Sequence, residues 1–396
     1  MFARLLSRRK AAARLFALIS LGWLAACDPI STIAGGDGPS GPALAPGAPV
    51  QVALLVPSGS GDPTDDLLAR NLENAARLAI ADLNGVQIDL RVYSTAANPA
   101  QAATVAMAAV ADGAQIILGP LYAEEANAAG VAVAASRINL LSFSNNPTIA
   151  GGNVFVLGPT FRNTADRLVR YGLRSGIQSY MIVHAEDLQG TVGRDAIATA
   201  VRNNGGQVAG IQSYPLSQQD IINAAPRIVA AAQAAGADAV FLTAGVNADL
   251  PILATALPEA GLSTAATRFI GLTRWNATPQ ALALPGLQGG LFALPDQQLS
   301  RLFESRYAAA YGEAPHPLAG LAYDGIAAIG ALVARGDRNA LSRNALTQGQ
   351  GFQGTSGIFR LLTDGSNERG LAVAEVRNNQ VTILEPAPRS FGGAGF

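Results

Sequence analysis

The sequence predicts an α/β protein built as two doubly wound, three-layer lobes, and three observations carry that expectation. Short apolar runs rich in Val, Ile and Leu alternate with alanine-rich stretches of helical spacing, the order expected of a parallel sheet covered by helices on both faces. The alternation breaks at Asn145-Asn146-Pro147 and Gly151-Gly152 and then starts again, giving two series of similar size. Near its end the chain changes character, with short runs over 356–384 joined at Asp364-Gly365 and Asn378-Asn379 as in antiparallel strands.

In the first series, residues 50–56 (VQVALLV) read as a strand buried on both faces. A helix follows, with Asp62 as N-cap, Pro63 at the first helical position, and Asp65 and Asp66 placing negative charge where the helix dipole favours it. Leu68, Leu72, Ala75, Ala76 and Ala79 form its apolar stripe. Strands are expected at 87–93, 115–118 and 139–143, separated by helices near 100–111 and 124–136. After the break, 154–156 leads into strands near 180–184, 207–213, 239–242 and 268–271, with helices near 163–175, 191–203, 221–235 and 248–257. Two further helices are expected at 298–311 and 318–334, and periodicity alone does not say which lobe they join.

The chain begins with Arg4, Arg8, Arg9, Lys10 and Arg14 and no acid, followed by an apolar stretch over 15–26 that ends in Leu24-Ala25-Ala26-Cys27. This is the order of a secretory signal, and the apolar stretch is shorter than the roughly 20 residues a membrane span needs. The small-small-Cys ending resembles the bacterial lipobox, which implies lipidation of Cys27 and anchoring to a membrane on the periplasmic side of the cell envelope. Asp28 resembles the inner-membrane retention signal of enterobacterial lipoproteins; inner and outer membrane both stay open. Residues 27–48, rich in Gly, Pro, Ala and Ser, read as a flexible tether.

Removing residues 1–26 takes five of the 27 basic residues and none of the 28 acidic ones, leaving 22 against 28 and a formal charge of −6. Such a surface does not attract nucleic acid. Cys27 is the one cysteine, so no disulfide is expected, and a core must hold the fold unaided. Lys10 is the one lysine, which excludes Schiff-base and phosphate-cradling lysines beyond the signal and leaves fixed positive charge to arginine. His184 and His316 stand far apart in sequence, no Gly-x-Ser-x-Gly elbow occurs, and His184, near Glu186 and Asp187, reads as a polar loop residue as readily as a catalytic one. No enzyme activity, cofactor or metal is expected.

Open α/β sheets bind ligands at the carboxyl ends of their strands. The loop Pro57-Ser58-Gly59-Ser60-Gly61-Asp62 lies there, and its amides would hold a carboxylate or other anion unless it is simply a tight turn. A dinucleotide fingerprint lacks its third glycine, since Thr64 occupies that place.

Four stretches carry a resemblance over residues 51–384: Leu55 to Gly59 (LVPSG), Ile117 to Leu121 (ILGPL), Asn139 to Ser144 (NLLSFS), and Phe155 to Asn163 (FVLGPTFRN). Their order and spacing resemble the type I periplasmic-binding fold of the Leu/Ile/Val-binding family, in which two lobes joined at a hinge close on a small ligand. The resemblance implies that the chain returns to lobe one near Gly290 and to lobe two for the closing hairpin. The division expected is a signal peptide at 1–26, the tether at 27–48, lobe one at 50–157 plus 290–350, lobe two at 158–289 plus 351–386, and a disordered tail at 387–396. Carried over, the family's cleft implies Ser58, Gly59, Leu121, Tyr122, Ser142, Phe143 and Ser144 from lobe one. From lobe two it implies Leu188, Gln189 and the turn Thr243-Ala244-Gly245. Where amino-acid binders of the family place an acid for the ligand's ammonium, this chain has Arg274. The implied ligand is amino-acid-like, a small peptide or an amide, and the implied partner is an ABC permease. Leu157 to Thr160 and the ending 352–376 also resemble the penicillin-binding-protein activators, lipoproteins that stimulate a membrane peptidoglycan synthase through protein contact.

Overall fold

The computed structural model describes residues 42–392, so the signal segment and Cys27 lie outside the described residues. Its first sheet has five parallel strands in the order β2-β1-β3-β4-β5. These are β1 (Val50–Val56), β2 (Ile88–Ser94), β3 (Ile116–Leu118), β4 (Leu140–Ser142) and β5 (Val154–Val156). Helices α1 (Pro63–Ala81), α2 (Pro99–Ala111) and α3 (Ala123–Val133) connect them. Strand periodicity explains why helices cover both faces. Val52, Leu54 and Val56 of β1 enter the core under α1, while Ala53 and Leu55 enter the core beneath α2 and α3.

The second sheet repeats the logic with α4 (Phe161–Arg174), α5 (Leu188–Asn203), α6 (Gln218–Ala234) and α7 (Leu250–Glu259). Its parallel strands are β6 (Ser179–Ala185), β7 (Gln207–Tyr214), β8 (Ala239–Leu242), β9 (Arg268–Gly271) and β10 (Leu291–Leu294). Met181 and Val183 of β6 face one core, and Tyr180 and Ile182 face the other. The expected Asp62 cap is present, and the structure adds a second cap at Thr160. The Asp62 carboxylate accepts from Thr64 N at 2.8 Å, and Thr160 and Asn163 form a capping box at the start of α4.

Helices α8 (Gln297–Tyr311) and α9 (Gly320–Val333) belong to lobe one: Tyr307, Ala322, Ile326 and Ile329 share its core with α1. Gly325 lets α9 approach the sheet, since a Cβ there would lie 2.8 Å from the Leu118 side chain. A separate antiparallel sheet, β11 (Phe352–Gly354), β12 (Gly357–Leu361) and β13 (Asn367–Arg369), follows. Then β14 (Ala372–Arg377) and β15 (Gln380–Glu385) complete the second sheet, whose order is β15-β14-β10-β9-β8-β6-β7. Asn378 and Asn379 make their turn with φ of 52° and 62°, a left-handed conformation that asparagine tolerates.

Four boundaries differ from expectation. Residues 291–294 stay in the second sheet because Leu291 and Phe292 pair with β9, so the return to lobe one falls after Leu294 and not at 290. Residues 352–369 do not join lobe two, because Phe352, Phe359 and Leu361 sit in lobe one's core. The tether ends before 48: Leu44 is buried in the same core and its N–H donates to Arg338 O at 2.7 Å. At the other end, 387–392 is packed, with Ala387 buried and Arg360 stacked 4.6 Å from the centroid of the Phe391 ring.

The chain crosses between lobes at 157–160, 295–296 and 370–371, and hydrogen bonds bundle these crossings. Asn367 Nδ2 donates to Val156 O at 2.8 Å and Gly158 O at 2.9 Å, and Asp296 N donates to Ser356 O at 2.9 Å. Beneath them lies an ion pair, Arg369 Nη1 to Asp324 Oδ2 at 3.3 Å, with Asp324 1% exposed. Thr355 N and Oγ1 donate to the other Asp324 oxygen at 2.7 and 3.0 Å, and Arg369 also donates to Leu157 O. Burial pushes the Asp324 carboxyl up, against the pull of Arg369 and Thr355.

Candidate functional site

The carboxyl ends of both sheets border a groove beside these crossings. It holds two adjacent cavities that share Pro159 and Leu318 in their linings. The first, about 430 Å³, is bounded by Leu121, Tyr122, Phe143, Ser144 and Asn146 of lobe one. The second, about 390 Å³, lies against the hinge and is bounded by Arg274 of lobe two, by Arg301, Glu304 and His316 of lobe one, and by the Asp324–Arg369 pair. Volumes of this size suit small ligands.

Of the residues expected from sequence, the structure gathers Leu121, Tyr122, Phe143 and Ser144 around the first cavity and places Arg274 on the second. Ser58, Gly59, Ser142, Leu188, Gln189 and Thr243 line neither. The strand-end loop holds a carboxylate, but an internal one: Gly59 N donates to Asp66 Oδ1 at 3.0 Å. Ser58 and Ser94 share a hydrogen bond at 2.6 Å. Buried Ser142 donates to Pro120 O at 3.0 Å and accepts from Ser144 N, and Ser144 Oγ accepts from Asn146 N at 3.1 Å. Phe143 is buried in lobe one's core, and Thr243 is buried beside β6, its N–H donating to Val183 O at 3.1 Å. Leu188, 80% exposed, and Gln189 open helix α5 after the Asp187 cap.

Tyr122 donates to Asp65 Oδ1 at 2.5 Å, and that bond, with burial and nearby carboxylates adding, pushes its hydroxyl up to about 12. Behind it, Glu125 is 1% exposed, and burial raises its carboxyl. His184 is a buried strand residue whose Nδ1 lies 2.8 Å from Ala185 O, which removes it from the groove.

The sequence alone did not point to Arg301 and Glu304 of α8 or to His316 in the loop between α8 and α9, because the order of strands carries no signal for segments that return from far along the chain. His316 Nδ1 accepts from Leu318 N at 3.2 Å, which places the ring proton of the neutral form on Nε2, and burial lowers its pKa. The backbone at Arg274 is anchored by its neighbour. Trp275 is fully buried against Phe292, with ring centroids 5.7 Å apart, and rests on Gly271 and Gly290, where a Cβ would lie 2.2 and 2.6 Å from the indole. Among the described residues the Arg274 side chain makes no hydrogen bond or ion pair, while its carbonyl accepts from Ala277 N at 3.2 Å. Desolvation lowers its pKa and Glu304 raises it; with an ordinary value above about 12 it stays charged.

Solved structures share the fold. A branched chain amino acid ABC transporter periplasmic ligand-binding protein from Burkholderia xenovorans superposes with a TM-score of 0.64 at 18% identity, covering 86% of this chain and 96% of that one. An ABC transporter substrate-binding protein from Desulfitobacterium hafniense in complex with Leu gives 0.59 at 19% identity, covering 85% and 100%. A solute binding protein of an ABC transporter from Rhodopseudomonas palustris in complex with 3,4-dihydroxy benzoic acid gives 0.55 at 17% identity, covering 87% and 99%. No curated protein sequence matches the chain. The two lobes, their crossings and a match to the family described as periplasmic binding protein over residues 49–380 together show that the chain belongs to the periplasmic binding protein family.

Proposed function

We propose that this protein is the non-enzymatic ligand receptor of an ABC-type importer. It binds an amino-acid-like molecule, small peptide or amide in the interlobe groove and presents it to a permease. The observation that carries this reading is the pair of adjoining cavities at the carboxyl ends of the parallel strands of both sheets, beside a bundled hinge. Structures of the same fold are described as ABC transporter ligand-binding proteins, one of them bound to Leu. The reading assigns Leu121, Tyr122, Phe143, Ser144 and Arg274 to the ligand surface. Ser58, Gly59, Ser142, Leu188, Gln189 and Thr243 approach the ligand only if the lobes close as a hinge. Lipidation of Cys27 would hold the receptor at the membrane, a step supported by the basic start and the Leu-Ala-Ala-Cys ending. A Cys27→Ser chain should then leave the membrane fraction.

A thermal-shift screen of the purified chain against amino acids, amides, short peptides and organic acids tests the receptor reading. A true ligand at 100 times its Kd should stabilise the protein by about 2.7 kcal/mol. A response that stays flat across the screen overturns receptor function. In that event, crosslinking to a membrane peptidoglycan synthase would move the assignment to a regulator of cell-wall synthesis.

A further inference from the structure

We propose that the ligand of the groove is a small organic carboxylate whose anionic end pairs with Arg274, and that an α-ammonium group is dispensable. This rests on the receptor reading and narrows its ligand class. The hinge-side cavity carries three arginines and two carboxylates. Arg369 is committed to Asp324, Ser356 and Leu157 O, and Arg301 donates Nε to Gln297 O at 3.1 Å. His316 is kept neutral, with its proton on Nε2. Once the buried pair cancels, Arg274 and Arg301 face only Glu304, an excess of one positive charge.

Arg274 is the arginine of this cavity that no partner holds within hydrogen-bonding distance. Its planar guanidinium offers parallel donors that match a carboxylate bidentately. Closure around a neutral or cationic group would desolvate that charge without compensation, whereas a carboxylate brings the compensation with it. The Trp275 wedge between Gly271 and Gly290 fixes the backbone from which the exposed Arg274 side chain projects, so the ligand has only the side chain left to order.

Trp275 also supplies the readout. The chain has two tryptophans, and with Trp23→Phe the fluorescence of the full chain reports on Trp275 alone. The probes are matched pairs: 4-methylpentanoate with 4-methylpentanamide, benzoate with benzamide, 3,4-dihydroxybenzoate with its amide, and L-leucine with L-leucinamide. At least one acid should bind while its amide binds about 30-fold more weakly or worse. Arg274→Gln should lower affinity for that acid by a similar factor, with Arg274→Lys intermediate. The thermal midpoint should not move in either variant, because the side chain makes no hydrogen bond to lose. Amides that bind as well as their acids, or an Arg274→Gln chain with unchanged affinity for the acid, overturn the inference and leave the receptor reading standing. Silence from every acid, amide and amino acid overturns the inference, and silence from the short peptides as well overturns both.

Discussion

The two walls of the groove use their polar groups in opposite ways. On the lobe-one wall Tyr122 donates to Asp65, and the strand-end residues outside the cavity lining follow suit, Ser58 with Ser94, Gly59 N with Asp66 and Ser142 with Pro120 O, so these polar groups answer one another inside the lobe. On the hinge-side wall the Arg274 side chain stands, among the described residues, without a hydrogen-bond or ion-pair partner near Glu304, beside the buried Asp324–Arg369 pair. The motifs that carry the family resemblance sit mainly on the first wall. They record the backbone shape needed at strand ends, while freedom to choose a ligand lies in the side chain that departs from the pattern. If this contrast is correct, substitutions on the hinge floor and the lobe-one wall should act on stability, and substitution of Arg274 should act on affinity.

The largest effect should come from the hinge floor. Asp324→Ala leaves the Arg369 guanidinium buried with its anionic partner gone, and breaking such a pair from one side costs about 3–5 kcal/mol. Urea denaturation of the purified chain measures it. A loss below about 1 kcal/mol would mean that Thr355, Ser356 and Leu157 O hold this junction without the charge pair, and the hinge floor would lose its part in the contrast.

Gly271→Ala should come next. The new Cβ would lie within 2.2 to 2.6 Å of the Trp275 ring, and that ring, packed against Phe292 and Gly290, has no space to retreat. Overpacking of this kind costs about 1–3 kcal/mol. Because Trp275 adjoins Arg274, the same substitution should also shift the tryptophan emission and weaken binding of the carboxylate probe. Lost stability with unchanged probe affinity would separate the wedge from the placement of Arg274.

Much of this architecture is written locally. Parallel strands buried on both faces read as unbroken apolar runs, and Asp62 marks a helix start by the hydrogen bond its side chain accepts, with Pro63 at the first helical position. Leu121, Tyr122, Phe143 and Ser144 were expected at the cleft through the family resemblance, and they border the first cavity in the segments after β3 and β4. The span from 290 to 372 was not legible in the same way. LFAL at 291–294 would suit either sheet, and its pairing with β9 and β14 is decided by contacts distant in sequence. The same limit hid Arg301, Glu304 and His316, which reach the groove only because α8 and α9 pack on α1. Asp66 was visible as a favourable first-turn charge, yet its grip on Gly59 N needed the loop's own geometry.

The smallest effect should be the most discriminating. Tyr122→Phe removes the hydroxyl that donates to Asp65, a carboxylate 8% exposed, while leaving the ring on the cavity wall. Tyr122 is itself 39% exposed, so solvent weakens the bond and a loss of only about 1 kcal/mol is expected. The pH dependence gives the sign. The folded-state pKa stands above the ordinary 10.0, at about 12, so the contribution is complete below pH 10 and disappears as pH rises towards 12. Tyr180 and Tyr214, also raised by burial, lose stability over the alkaline range in wild type and variant alike, so the difference between the two stability curves isolates Tyr122. That difference should shrink to nothing on the alkaline side, while affinity for the carboxylate probe at neutral pH changes by less than about threefold, within what loss of a rim contact allows. A Tyr122→Phe chain that kept its stability and lost its ligand would reverse the comparison, making the lobe-one wall the one that selects.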